Sequence, residues 1–80
     1  MELVRVRFST SADRGTIETV EGGKTVRSYL QDKNARMETK FYSSGREITG
    51  ELDKTLGELF NELGSGDVLN IHEVAKTTGA

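Results

Sequence analysis

Apolar and charged residues alternate over residues 2 to 9, with Val4, Val6 and Phe8 on one side and Leu3, Arg5 and Arg7 on the other. A two-residue repeat of this kind predicts a half-buried strand. The polar run Ser9 to Gly15 predicts a hairpin loop, and Gly15 to Glu21 a second strand. Its apolar residues, Ile17 and Val20, stand three apart, so a regular strand cannot turn both to one face. A bulge near Thr19 is expected to reconcile them.

Gly22 and Gly23 break that strand, and the period changes. Thr25 has the side chain of an N-cap, and Val26, Tyr29, Leu30 and Lys33 follow at helical spacing, which predicts a helix ending near Asn34. Its narrow apolar face must lie on something apolar, and the sheet is the only large candidate. Glu38 to Ile48 reads as a short hairpin turning at Ser43, Ser44 and Gly45, with Phe41 and Ile48 inward. Thr55 and Glu58 form a capping box ahead of Leu56, Leu59, Phe60 and Leu63, so a second helix is expected to end at Gly64. Gly57 weakens its middle by up to ~1 kcal/mol relative to alanine. After Ser65, Gly66 and Asp67, a last strand turns Leu69 and Ile71 one way and Val68, Asn70, His72 and Val74 the other. No internal repeat stands out.

The order strand, strand, helix, strand, strand, helix, strand packs most economically with the first two strands as a hairpin and the last strand beside the first, the two richest in apolar residues. Ferredoxin-like arrangements expect longer helices.

Composition narrows the function. Eighty residues suit one domain, and 34% apolar content makes each core side chain count. Without cysteine there is no disulfide, thiolate metal site or cysteine nucleophile, which suits a reducing compartment. The amino-terminal MELVRVRF has the pattern of neither a signal peptide nor a membrane span. A soluble, cytoplasmic protein is expected. Eleven basic and thirteen acidic residues are spread along the chain, so neither nucleic acid nor a membrane is the expected partner.

The stretch KFYSSGREITGELDKTLGELF resembles the part of ubiquitin in which a strand, a glycine turn with a basic residue and a short loop lead to a "T-L" helix start. GGKTVRSYL and LGSGDVLNIHEV are similar to the sulfur carriers of molybdopterin and thiamine synthesis, with their "T-V" helix start and "GD" turn. Together these cover most of the chain. The resemblance implies an α+β, ubiquitin-like β-grasp fold: a mixed sheet of four to five strands on one main helix, with a second short helix before the last strand. It implies a domain over residues 1–75 and a flexible tail over 76–80, with function carried by the exposed sheet face and the tail.

Candidate sites follow. His72, the one histidine, falls on the face opposite Leu69 and Ile71, and with Arg5, Arg7, Asn70 and Val74 it makes a candidate docking surface. Tyr42 follows inward Phe41 and so joins that face; Tyr29 and Phe60 are the other aromatic anchors considered, with Phe60 expected in the core. The bland alternatives are a solvated histidine and cross-strand pairing of Arg5 or Arg7 with His72 or Glu73. Sulfur carriers and modifiers end in Gly-Gly, whereas this chain ends Thr78, Gly79, Ala80, which sets a side chain where the activated glycine should be. No nucleophile with a base in reach and no metal-ligand spacing is present in the sequence, so neither catalysis nor a cofactor is expected.

The first reading is a non-catalytic interaction module binding a larger protein through its sheet face. The alternative is a small carrier or modifier activated at its C-terminus by an ATP-dependent enzyme. A third is weak homodimerisation through an exposed edge strand.

Overall fold

The alternating first segment becomes strand β1 (Leu3–Ser9), with Val4 and Val6 buried and Leu3 and Arg5 exposed. In the computed structural model, residues 2–36, 38–64 and 66–74 are described. β2 (Ile17–Glu21) pairs antiparallel with β1 in unbroken register, from Leu3 opposite Glu21 to Arg7 opposite Ile17. The expected bulge near Thr19 is therefore absent. Val20 keeps the inner side opposite Val4, and Ile17, of opposite parity, turns outward and is 45% exposed. Exposing one isoleucine costs less than leaving a ladder residue unpaired.

The hairpin loop is tied by Thr10, whose Oγ1 accepts from the amides of Ala12 and Asp13. Gly15 takes φ +71°, and a Cβ there would sit 1.8 Å from the Phe8 carbonyl oxygen, so only glycine fits.

Helix α1 (Val26–Asp32) ends sooner than its apolar spacing suggests. Asn34 adopts φ 58° and the Ala35 amide donates back to the Leu30 carbonyl at 3.0 Å, a left-handed helix stop. β3 (Lys40–Ser43) and β4 (Arg46–Glu47) form the expected hairpin, closed by Ser44 and Gly45, both at positive φ as a two-residue type I′ turn demands. A 3-10 turn (Thr49–Glu51) leads to α2 (Leu56–Leu63) and then to β5 (Leu69–Val74). The helices are of near-equal length, seven and eight residues, rather than one main and one short.

The five strands make one mixed sheet in the order β2-β1-β5-β3-β4, in which β1 and β5 run parallel and the other neighbours antiparallel. The first and last strands thus lie side by side, as their apolar patterns require.

The two helix starts interlock. The Val26 amide donates to the Lys54 carbonyl at 2.9 Å, and the Leu56 amide donates to the Lys24 carbonyl at 2.8 Å. Arg27 and Gly57 bond to the carbonyls of Leu52 and Gly22, and the side chains of Thr25 and Thr55 accept from Ser28 and Glu58. The first three amides of each helix, normally orphans, are all satisfied in the same way. A recurrence the sequence shows, Lys24-Thr25-Val26 and Lys54-Thr55-Leu56, gains its meaning only here. Gly57 permits the approach, since a Cβ would lie 3.2 Å from the Gly22 carbonyl oxygen.

One side of the sheet receives both helices. Val4, Val6, Phe41, Leu69 and Ile71 from the strands meet Val26, Tyr29, Leu30, Leu56 and Leu59 from the helices, with Ile48 and Leu52 closing the end. Each such burial contributes ~1.5 to 3 kcal/mol against chain entropy. Phe60, expected in the core, lies at its margin, partly buried. Val68, expected outward, is buried just ahead of β5. No helix among the described residues is long and apolar enough to cross a membrane.

Candidate protein-binding face

Among the described residues the opposite side of the sheet carries no helix, and its composition follows from register. Leu3, Arg5, Arg7 and Ser9 of β1 point there, as do Ile17, Thr19 and Glu21 of β2 by their pairing. Arg7 stands opposite Asn70 and Ser9 opposite His72 on β5. His72 in turn stands opposite Tyr42 on β3, Val74 opposite Lys40, and Tyr42 opposite Glu47 on β4. None of these residues is buried. Arg5, Arg7, Tyr42, Asn70, His72 and Val74, singled out from sequence, therefore share one face.

Side-chain bonds tie this face across the parallel pair. Arg7 Nε donates to Asn70 Oδ1 at 3.1 Å, and Ser9 Oγ lies 3.0 Å from His72 Nδ1. The expected pairing of Arg5 or Arg7 with His72 or Glu73 does not form among the described residues. Asn70 takes the place opposite Arg7, and Glu73, in register with Phe41, falls on the other side of the sheet. A serine beside an imidazole supplies two of the three members of a nucleophilic triad. Among the described residues no carboxylate bonds to the ring to orient it, and the pair sits on an open surface.

Apolar exposure is concentrated here as well. Leu3, Ile17 and Val74 are 59%, 45% and 39% exposed, the large apolar side chains most open to solvent among the described residues, and all three point to this side. They are separated by polar neighbours, giving a mixed surface like that of a protein interface. Ile17, Ser9 and Lys40 were missed from sequence. The opposite parity of Ile17 and Val20 was the available signal for Ile17.

Of the aromatic anchors considered, Tyr29 is buried, which leaves Tyr42 on the face. A cleft of about 370 Å³ opens near the β1–β2 loop, lined by Phe8, Thr10, Asp13, Gly15, Thr16 and Lys33. Three of its polar groups are already engaged: Lys33 pairs with Glu18, while Thr10 and Asp13 bond to the loop's own backbone. Among the described residues no three His, Asp or Glu side chains are grouped to hold a metal ion.

Thr78, Gly79 and Ala80, the tail positions marked from sequence, lie outside the described residues, as does the expected tail over 76–80. Comparison with protein-family models and with curated proteins gives no match.

Proposed function

We propose that this chain is a non-catalytic, ubiquitin-like module of the β-grasp type, acting in the cytoplasm, that binds a larger protein partner through the outer face of its sheet. The adjacency of the parallel terminal strands, with a helix connecting β2 to β3 across one side, supports the β-grasp reading. The observation that carries the functional reading is the gathering of Leu3, Ile17 and Val74 with Arg7, Tyr42 and His72 on the side that no helix covers among the described residues. Apolar anchors set among polar groups are what a docking surface needs, and covering them would recover area left in water.

The test compares partner recovery from an extract of the source cells by the wild-type chain, by Arg7→Ala with His72→Ala, and by Arg27→Ala on the helix side, all checked for folding by circular dichroism. The outer-face pair should reduce recovery of the same partner by about tenfold or more, and Arg27→Ala should leave it unchanged. Equal recovery by all three would contradict the assignment of this face.

A further inference from the structure

We infer that the outer face takes an acidic, extended segment of its partner, held at the centre by Arg7 and flanked by Arg5 and Lys40. This rests on the reading of that face as a docking surface and adds the chemistry of what docks there. The basis is how the charges divide. Lys24, Arg27, Lys33, Arg46 and Lys54 each meet a carboxylate within the chain. All five lie off the outer face, Arg46 included, since it is in register with buried Ser43. Of the five described basic residues with no ion-pair partner among the described residues, Arg14 and Arg36 lie in loops, and Arg5, Arg7 and Lys40 share the outer face, although acidic residues outnumber basic ones. β1, β5 and β3 turn no carboxylate outward; Glu21 and Glu47 sit on the edge strands β2 and β4. A net-negative chain thus keeps, among the described residues, uncompensated positive charge along the middle of its outer face, and such a strip attracts and orients an anionic partner.

Local geometry favours carboxylates. Asn70 is a neutral acceptor, so it fixes the Arg7 side chain without cancelling its charge and leaves the terminal guanidinium nitrogens for a carboxylate in parallel. Arg7 and Lys40 are separated by the four positions from Asn70 to Val74 along β5 and lie on strands flanking it. Their backbones are therefore roughly 16 Å apart, a span that about five extended residues cross. Leu3, Ile17 and Val74 between and beside these charges suit the side chains of a peptide. A polynucleotide would set its continuous negative charge against a net-negative protein.

The experiment follows backbone amide shifts of the folded chain on titration with a short synthetic peptide alternating Glu and Val, its Gln-for-Glu counterpart, and a thymidine oligonucleotide. The Glu peptide should shift amides of β1, β5 and β3, bind about tenfold more weakly as salt rises from roughly 20 to 200 mM, and bind at least ~tenfold more tightly than the Gln peptide. Arg5→Gln and Arg7→Gln should each weaken it ~threefold or more. Equal binding of both peptides at this face would overturn the acidic chemistry and leave the docking surface standing. Shifts confined to the helices and their loops would overturn both. Tighter binding of the oligonucleotide, or no shift with the Glu peptide, would overturn the inference.

Discussion

Tyr29 occupies a position whose ring and hydroxyl have opposed needs. The ring is buried in the core with the Lys33 amine 5.9 Å from its centroid, yet its hydroxyl has no hydrogen-bond partner among the described residues. Burial, and after it the nearby Glu18 charge, pushes the phenol well above its ordinary value. A buried hydroxyl without a bond costs more than an apolar group of the same shape. Tyr29→Phe is therefore expected to leave stability unchanged or raise it by up to about 1 kcal/mol in urea unfolding. A loss larger than that would mean the hydroxyl makes a bond. At this scale the sequence was informative about direction and poor about satisfaction. Alternation placed Arg5, Arg7 and His72 outward correctly, because side-chain direction in a strand depends only on parity. The Asn70 acceptor for Arg7 depends on the stagger between two strands far apart in the chain, which parity does not encode.

At the scale of elements, the hairpin of β3 and β4 is locked to α2 by a closed ring of alternating charge. Arg46 meets Glu51 and Glu62, and Lys54 meets the same two carboxylates, at 2.7 Å and 3.2 Å. Hydrogen bonds from Lys54 and then Arg46 hold the Glu51 carboxyl below its ordinary 4.5, and Glu51 in turn raises Lys54 and Arg46. On acidification the unfolded Glu51 takes up its proton before the folded one does. The ring's contribution is thus complete above the ordinary carboxylate range and is lost as pH falls through the lower folded value. Thermal melts should show Glu51→Gln lowering the midpoint at neutral pH and flattening its decline between roughly pH 5 and pH 3. A variant that keeps the wild-type acid slope would contradict this. The helices themselves were legible, because Thr25, Thr55 and Glu58 are side-chain caps. Their interlocking was not, because backbone carbonyls of Lys24 and Lys54 that accept from Leu56 and Val26 leave no mark on side-chain pattern.

For the whole molecule, the α+β class and the neighbouring terminal strands were readable from β1 and β5, since two strongly apolar strands both need flanking partners. The division of charge was not readable. Basic residues are spread evenly in sequence, and only the fold brings Arg5, Arg7 and Lys40, without a carboxylate partner among the described residues, onto one face while Lys24, Arg27, Lys33, Arg46 and Lys54 pair with carboxylates off it; Arg14 and Arg36, likewise without an ion pair among the described residues, lie in loops. On the reading proposed above, helices and ion pairs hold one side of the sheet together and the other side meets the partner.

The most direct test of that claim is photo-crosslinking in the source cells, with a photoreactive amino acid in place of Ile17 or Val74 on the outer face and of Arg27 or Asp53 on the helix side. Ile17 and Val74 should each yield an adduct containing the same partner, and Arg27 and Asp53 should yield none. Adducts from Arg27 or Asp53 with none from Ile17 and Val74 would contradict the account.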